Sequence, residues 1–264
     1  RVDLNHRPPA PKAGALSRLR YAPILFNLIK TIEKSQIVIS SQNLVLYITK
    51  IIHRRRCNML ENIKWLGHDT FKITGEKVIY TDPFQIKNPD KADIILITHE
   101  HYDHFSPEDI KKLLGPQTVV VLTPDCSGKI KAKEVIVKPG DKINVEGIEI
   151  EVVPSYNTNK KFHPKENGWV GYIFKVMGKR IYLAGDTDYI PEMKTFKNID
   201  IALLPVSGTY VMTAEEAVQA ALDIKPKIAI PMHYGSIVGS EKDAQYFAEK
   251  LKGKIDVVIL KPER

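Results

Sequence analysis

Three histidines and an aspartate lie in the stretch Thr98-His99-Glu100-His101-Tyr102-Asp103-His104, directly after an apolar segment, residues 93–98, that is predicted to be a buried strand. Neutral imidazole is the commonest nitrogen ligand for zinc, iron and nickel, and a chain that leaves a strand can aim alternate side chains at one point. We expect His99 and His101 to share one ion, and Asp103 and His104 to face a second ion beside it. Histidines also collect on solvated loops, but that alternative does not explain four ligand residues at this spacing.

Two distant residues of ligand type also follow predicted strands. Asp186 stands in Leu183-Ala184-Gly185-Asp186, after a strand predicted at 180–184, and His233 follows a strand predicted at 227–231. Singly, each is more often an ordinary turn residue. Because a catalytic ion needs about three protein ligands, three strand ends that all supply ligand residues together indicate a metal site.

The order of these motifs resembles the metallo-beta-lactamase superfamily of metal-dependent hydrolases. The histidine cluster is followed by Gly185-Asp186-Thr187 and then by His233-Tyr234-Gly235. Two earlier stretches resemble the branch that contains L-ascorbate 6-phosphate lactonase: Ile63-Lys64-Trp65-Leu66-Gly67-His68 and Tyr80-Thr81-Asp82-Pro83-Phe84. The resemblance extends from about Met59 to the end and implies an α/β protein with a four-layer αββα sandwich. Substrate identity does not follow from the fold.

The resemblance also implies a ligand set for two ions. It places His99 and His101 on the first ion, Asp186 between the two ions, and the remaining ligands on the second: Asp103, His104 and His233. The family has a further histidine on the first ion, and the matching position carries Asn157. His163, six residues on, is the favoured replacement, and Asn157 itself or a first site short of one nitrogen is the alternative.

Two other residues are predicted to support the ligands. The family uses an aspartate at the position of Asp82 to hold a ligand histidine by its free ring nitrogen, which fixes the tautomer and the ring orientation. His68 stands at a predicted turn, where it either lines the pocket or is a plain hydrogen-bonding residue.

This ligand set predicts a hydrolase with two divalent ions, Zn²⁺ being the leading choice and Mn²⁺, Ni²⁺ and Fe²⁺ the alternatives. A hydroxide shared between the ions would attack the substrate, and Asp103 or Asp186 would orient it and return a proton to the leaving group. The chain has no Gly-x-Ser-x-Gly motif that would indicate a serine nucleophile.

The predicted substrate is a small anionic ester, lactone or phosphoester. This prediction depends on a loop that carries Lys160 and Lys161 near Tyr156 and Asn157, because lysines at the border of a metal site can hold an anion. Lysines on a loop are more often simply solvated. A nuclease or phosphodiesterase that acts on nucleic acid, an iron enzyme that reduces oxygen, and a metal-binding protein without turnover are the alternatives.

Charge is distributed unevenly along the chain. Of 39 basic and 31 acidic residues, residues 1–58 hold 11 basic and 2 acidic ones, which leaves the rest close to neutral. A nuclease would need a basic groove, so we expect no nucleic-acid partner. The expected partner is a small-molecule substrate, and a homo-oligomer is left open.

Residues 1–58 are predicted to be a non-native or disordered basic leader, with the hydrolase domain at 59–264 and the start codon at Met59. A real basic tail and a membrane anchor are the alternatives. Lys30, Glu33, Lys34 and Lys50 interrupt the apolar run at 24–52, so a membrane span is not expected. The two cysteines lack zinc-pair spacing, which favours a reducing cytoplasm.

Overall fold

The computed structural model describes residues 60–263, so the leader predicted at 1–58 lies outside the described residues. The described part of the chain contains thirteen β-strands and three α-helices. None of these helices is long and apolar enough to cross a membrane.

The first sheet is formed by the N-terminal part of the described chain. Its six strands stand in sequence order: β1 (Ile63–Gly67), β2 (Thr70–Thr74), β3 (Val78–Thr81), β4 (Ile94–Leu96), β5 (Val119–Leu122) and β6 (Lys133–Ile136). The first three strands pair antiparallel, and β3 to β6 run parallel. The parallel strands β4 and β5 are apolar throughout, as expected for strands that are covered on both faces.

The second sheet has seven strands. In order across the sheet they are β13 (Asp256–Val257), β12 (Ile228–Met232), β11 (Ile201–Pro205), β10 (Lys179–Leu183), β9 (Val170–Val176), β8 (Ile148–Pro154) and β7 (Lys142–Val145). Strands β10 to β13 are parallel, whereas β7 to β10 form an antiparallel meander.

Sequence signals predict helices that begin after Ser106, after Thr213 and at Glu241, and the α-helices begin at these positions. They are α1 (Pro107–Leu113), α2 (Ala214–Ile224) and α3 (Glu241–Leu251). The Ser106 hydroxyl caps α1 by accepting a hydrogen bond from the backbone N–H of Asp109 at 3.3 Å. At the start of α2, Thr213 and Glu216 form the predicted capping box: each side chain accepts a hydrogen bond from the backbone N–H of the other.

Alternation of side chains along the strands produces the layers. In β4, Ile94 and Leu96 belong to the large apolar cluster that joins the two sheets, whereas Ile95 belongs to a smaller cluster with Ile110 and Leu113 of α1. Successive side chains of a strand point to opposite faces, so one face of the first sheet packs on the second sheet and the other on α1. Helices α2 and α3 contact β11 and β12, respectively. The predicted αββα sandwich is confirmed.

Two strands differ from the sequence-based expectation. The pattern does not indicate β6 or β7, because each has four residues and is largely solvent-accessible, with charged or polar side chains such as Lys133 and Asn144. They form because their neighbours extend the sheet to them, as in the pairs Val120↔Glu134 and Ile143↔Ile150. The sequence pattern also predicts a strand at 255–260, of which only the two residues of β13 form one.

The parallel strands of each sheet end on the same side, and this edge gathers the residues of ligand type. Within each sheet, β3 lies beside β4, and β10 to β12 are adjacent. The residues that follow the strand ends here are His68 and Asp69 after β1, Asp82 after β3, His99 after β4, Asp186 after β10 and His233 after β12. The carboxyl ends of strands are where α/β folds place their sites.

Candidate metal centre

One buried carboxylate fixes the loop that follows β4. Asp82 accepts hydrogen bonds from the backbone N–H and the hydroxyl of Thr98, at 2.8 and 2.7 Å. Its Oδ2 also lies 2.9 Å from Nδ1 of His104. Because a carboxylate only accepts, this contact places a proton on Nδ1 of His104 and directs Nε2 away from Asp82. Asp82 thus lies where its predicted supporting role requires it.

The first candidate metal position is formed by the imidazole group, which consists of His99, His101 and His163. One ring nitrogen from each of these residues lies within 4.8 Å of the others. Nε2 of His99 is 3.0 Å from Nδ1 of His101. Three imidazoles that converge in this way form a typical donor set for a divalent transition metal.

Asn157 orients His163 and does not replace it. The amide oxygen of Asn157 accepts a hydrogen bond from the backbone N–H of His163 at 3.0 Å and lies 3.1 Å from its Nδ1. The amide nitrogen of Asn157 donates to Asp188 Oδ1 at 3.1 Å and to the carbonyl of Tyr210 at 2.9 Å. His163 therefore brings a ring nitrogen into the group, whereas the amide of Asn157 is hydrogen-bonded to His163, Asp188 and Tyr210; the roles of Asn157 as an alternative ligand or substrate contact stay predictions.

The second candidate position is formed by the acidic group, defined as Asp69, Asp103, His104, Asp186 and His233. Nε2 of His104 is 3.4 Å from Asp186 Oδ1, and Nε2 of His233 is 3.2 Å from Asp186 Oδ2. Donor atoms of Asp69, Asp186 and His233 lie within 4.8 Å of one another, as do those of Asp103, His104, His233 and the adjacent His68. Carboxylates are in the majority here.

Asp186 touches both groups. Its Oδ2 is 3.2 Å from Nε2 of His163 as well as from Nε2 of His233. The turn that delivers Asp186 requires a glycine, because Gly185 has a φ of +63° and a Cβ there would lie 3.0 Å from a methyl carbon of Thr98. Asp186 therefore occupies the position predicted for a bridging carboxylate.

His68 lies deep in the site. Its ring is fully buried and packs 4.1 Å, centroid to centroid, from the ring of His233. Nε2 of His68 lies 3.0 Å from Asp103 Oδ2, so it donates to that carboxylate. Of the two alternatives left open by the sequence, His68 belongs to the pocket, where it orients Asp103.

Unpaired buried atoms show that the donor set fits metal ions. Within residues 60–263, the atoms that are buried without a hydrogen-bond partner include Nε2 of His104, His163 and His233 and Oδ1 of Asp186. Buried polar groups in proteins almost always have a partner. Since these atoms belong to clusters of closely spaced donors and are of the kinds that bind Zn²⁺, Mn²⁺ and Fe²⁺, the residues present fit divalent metal ions.

Burial favours the uncharged form of His99 and His101. It lowers the pKa of His99 well below the ordinary value and also lowers that of His101. Burial lowers the pKa of His68 to about 4, although its hydrogen bond to Asp103 opposes the shift. Burial raises the pKa of Asp103, but the hydrogen bond from His68 and the positive charges of His104 and His68 together outweigh it and lower this pKa to about 2. Neutral imidazole is the form that binds metals.

The acidic group has the opposite electrostatics. Burial lowers the pKa of His104, but the negative charges of Asp186 and Asp82 outweigh it and raise this pKa well above the ordinary value. Burial raises the pKa of Asp186, but His233 and His104 outweigh it and hold this pKa well below the ordinary value. The Asp186 carboxylate therefore stays ionised and attracts positive charge.

Each group has a tryptophan beside it. The Trp169 ring lies 4.7 Å from the His99 ring and 4.8 Å from the His101 ring, and its indole N–H donates to Asp125. Trp65 packs 4.9 Å from Tyr234, the neighbour of His233, and donates to the carbonyl of His68 at 2.8 Å. One indole ring therefore lies beside each of the two groups.

Lys160 and Tyr156, two of the predicted substrate contacts, make contacts within the protein, and their role towards substrate stays a prediction. Lys160 lies 2.5 Å from Asp188 Oδ1 with its side chain only 16% exposed, so its charge is neutralised inside the protein. The Tyr156 hydroxyl donates to Glu192 at 2.9 Å. Lys161 is exposed, and its predicted contact with substrate stays a prediction.

Asp69 and Asp188 are site residues that the motif search did not identify. Asp69 is fully buried, and burial raises its pKa to about 8 against the opposing effects of His233 and His104. Asp188 is also fully buried and accepts hydrogen bonds from Asn157 and from the backbone N–H of Thr158. The available signal for Asp69 is its place directly after β1, the same context as the other strand-end ligands.

Comparison with known proteins agrees with this geometry. A model of the beta-lactamase superfamily domain matches residues 62–233. A UPF0173 metal-dependent hydrolase of Pyrococcus abyssi is 33% identical over 216 residues, which cover 76% of this chain and 96% of the relative. One of Thermoplasma acidophilum is 34% identical over 226 residues, 77% of this chain and 97% of the relative.

Solved structures lead to the same family. The structure of a candidate metal-dependent hydrolase from Parabacteroides distasonis is 39% identical, covers 75% of this chain and 93% of its own, and has a TM-score of 0.68. A diiron β-hydroxylase from Streptomyces venezuelae, 13% identical with a TM-score of 0.61 over 75% of this chain and 52% of its own, shares the fold alone. The chain belongs to the metallo-beta-lactamase superfamily and, within it, to the UPF0173 family of metal-dependent hydrolases.

Proposed function

We propose that this chain is a dinuclear hydrolase that cleaves a small ester, lactone or phosphoester. The observation that carries the proposal is the pair of donor sets that share Asp186, whose Oδ2 is 3.2 Å from both His163 and His233. One metal would need only one set. A carboxylate between two sets of imidazoles is what a pair of ions requires.

The imidazole group and Asp186 would hold the first ion, and the acidic group the second. Bound there, divalent ions would supply a hydroxide nucleophile at neutral pH and polarise a carbonyl or phosphoryl oxygen of the substrate. The choice of Zn²⁺ as the leading ion follows from the three imidazoles of the first set.

Asp103 is better placed than Asp186 to move a proton. The Asp103 side chain is 14% exposed, whereas that of Asp186 is 4% exposed and lies between three histidines. Because its pKa is about 2, Asp103 is ionised at neutral pH and can accept a proton at its carboxylate. His68 holds Oδ2 of Asp103 in place, which orients the carboxylate for that transfer.

The substrate class is chosen by chemistry and by resemblance. Cleavage of a carbonyl or phosphoryl bond needs no cofactor beyond the ions. The resemblance to the branch of L-ascorbate 6-phosphate lactonase favours a phosphorylated lactone as one member of a test panel. Lys160 is paired with Asp188 at 2.5 Å, which weakens the argument for an anionic substrate, so neutral and anionic members of the panel are given equal weight.

The test combines metal analysis with turnover. The purified chain should contain about two ions and hydrolyse at least one member of a panel of lactones, carboxylic esters and phosphodiesters, each in a neutral and a phosphorylated form. Glu100→Gln is a matched control in the same loop, because Glu100 is exposed and pairs with Lys129 at 2.6 Å. It should keep both ions and activity. A folded chain that binds no divalent ion, or a loaded chain that is inert across the panel, would contradict the proposal.

A further inference from the structure

Asp69 is a buried carboxylate without a hydrogen bond. Its side chain has no solvent exposure, and both of its oxygens lack a hydrogen-bond partner within residues 60–263. The backbone around it is well fixed, since its carbonyl accepts a hydrogen bond from the Thr81 hydroxyl at 2.7 Å. The position of Asp69 is thus set by the fold, while neither oxygen of its carboxyl group has a hydrogen-bond partner among the described residues.

The carboxylate of Asp69 points into the acidic group. One of its oxygens lies within 4.8 Å of donor atoms of Asp186 and His233. Oδ2 is also 3.9 Å from Nδ1 of His104, the nitrogen that faces Asp82. Asp69 therefore lies beside Asp186, His233 and His104, at the second candidate metal position.

The neighbouring side chains do not satisfy Asp69. The hydrogen of Nδ1 of His104 is used by Asp82, at 2.9 Å, and Nδ1 of His233 lies 3.0 Å from the hydroxyl of Ser207. A buried carboxylate is costly unless it is paired or coordinates a metal, so the group that Asp69 lacks is a cation.

We propose that Asp69 is an additional carboxylate ligand of the second metal position. This inference rests on the proposed function, because it assigns a residue to one of its two ions. It gives the acidic group three carboxylates, from Asp69, Asp103 and Asp186, beside two imidazoles. The imidazole group contains nitrogen donors alone.

The two positions should consequently differ in the ion they prefer. Carboxylate oxygen suits Mn²⁺ and other ions that favour oxygen ligands, whereas imidazole suits Zn²⁺. The second position should therefore retain Mn²⁺ better, relative to Zn²⁺, than the first position does. The ligands that make this difference are Asp69 and Asp103, since Asp186 contacts both sets.

The test is metal binding by Asp69→Asn in the full chain, which keeps the size of the side chain and removes its charge. Metal-free wild type and variant are titrated separately with Zn²⁺ and Mn²⁺ by calorimetry, and bound Mn²⁺ is followed by electron paramagnetic resonance. We expect the variant to bind the second ion at least about 10-fold more weakly, with a larger loss for Mn²⁺ than for Zn²⁺, because even residues that only support a ligand have effects of this size. The first ion should bind as in wild type.

Thermal unfolding separates ligation from a structural role. If Asp69 is a ligand, the metal-free variant should unfold at the same temperature as the metal-free wild type or at a higher one, and the loaded variant at a lower one. Asp200→Asn is the matched control, because Asp200 is a buried carboxylate outside every donor set that accepts a hydrogen bond from the backbone N–H of Arg180 at 2.9 Å. It should lower both unfolding temperatures and leave both ions in place.

The results that would overturn the role of Asp69 differ from those that would overturn the proposed function. A wild-type chain that binds two ions, with an Asp69→Asn variant that binds both with unchanged affinity, overturns the role of Asp69 and leaves the hydrolase proposal standing. A variant that is destabilised equally with and without metal also overturns it. A wild-type chain without bound ions overturns the proposed function itself.

Discussion

The imidazole group and the acidic group lie side by side but are built in different ways. His99 and His101 come from one loop, two residues apart, and a single distant residue, His163, completes their group. The acidic group combines the ends of three strands, with Asp69 after β1, Asp186 after β10 and His233 after β12. Asp103 and His104 come from the loop after β4, residues 99–104, which we call the metal loop. A short motif therefore specifies most of one metal position, whereas the other exists only once the two sheets have packed.

The members of the two groups also differ in their exposure to solvent. His101 is partly exposed, and its neighbour Tyr102 is 67% exposed. In the acidic group, Asp69, His104 and His233 are at most 1% exposed. The solvent-accessible part of the site therefore lies at His101 and Asp103, the latter with a 14% exposed side chain, whereas the other members of the acidic group are enclosed by protein.

The strongest test of this comparison is Asp186→Asn, which removes the carboxylate that both groups share. We expect both ions to be lost or greatly weakened and turnover to fall by more than about 100-fold, the upper value for residues that only support a ligand. Metal content by plasma mass spectrometry and initial rates measure the two effects. If the variant loses one ion and keeps the other at wild-type affinity, Asp186 serves one group alone.

His163→Ala should affect the imidazole group and leave the acidic group unchanged. It removes one of the three nitrogens of the first donor set and leaves the acidic group intact. Metal content should fall from about two ions towards one, with loss of turnover, because hydrolysis is proposed to need the pair.

Lys161→Ala is the control for His163→Ala, since Lys161 is two residues away in the same loop and exposed. It should leave both ions in place. A His163→Ala variant that keeps both ions and its activity would remove His163 from the ligand set.

A smaller effect is expected from the residues that orient a ligand in each group. Asn157→Ala removes the amide oxygen beside Nδ1 of His163, and Asp82→Asn replaces an acceptor of His104 Nδ1 with an amide. Each should weaken one ion by about 10- to 100-fold and leave the other near its wild-type affinity. Competition with a chromophoric chelator measures both constants. Equal weakening of both ions in either variant would show that the groups do not bind independently.

The smallest effect on metal binding is expected at Asp109, in the helix that follows the metal loop. Its carboxylate accepts hydrogen bonds from the backbone N–H groups of Gln85 and Ile86 at 2.7 and 3.1 Å. Asp109→Ala removes both hydrogen bonds and should lower the free energy of unfolding by about 2–3 kcal/mol, with metal content unchanged. Urea unfolding of the metal-free chain measures the difference.

The loss at Asp109 should depend on pH. Burial raises the pKa of Asp109, but hydrogen bonds from Lys112, Ser106 and the backbone outweigh it and hold this pKa below 3.8. A depressed carboxyl pKa stabilises the fold above the unfolded-state pKa, and this contribution is lost as the pH falls through the folded-state pKa. The difference between wild type and Asp109→Ala should therefore be constant near neutral pH and narrow below about pH 4. A difference that grows on acidification would contradict this assignment.

Sequence reasoning found the residues whose context is local. The metal loop has its ligands at fixed spacing after an apolar strand. The helix cap of Ser106 on Asp109 and the capping box of Thr213 and Glu216 each involve residues three positions apart. Asp186 and His233 were predicted because each follows an apolar strand. Such signals depend on neighbours in sequence, which are visible without a structure.

The remaining features depend on contacts between distant parts of the chain. Lys160 resembles a free loop lysine, and its pairing with Asp188 joins residues 28 apart. Asp69 resembles an ordinary turn residue until the sheets bury it beside Asp186 and His233. Local pattern cannot distinguish a solvated carboxylate from one that is enclosed by two sheets.

The tryptophans beside the two groups give the protein an optical label for each metal position. The chain has two tryptophans, and the structure places Trp169 against the imidazole group and Trp65 beside the backbone of His68 and the ring of Tyr234. Loading of one position changes the surroundings of one indole. A paramagnetic or quenching ion that fills the sites in sequence would therefore dim the fluorescence in two steps, and the order of the steps would tell which position is filled first.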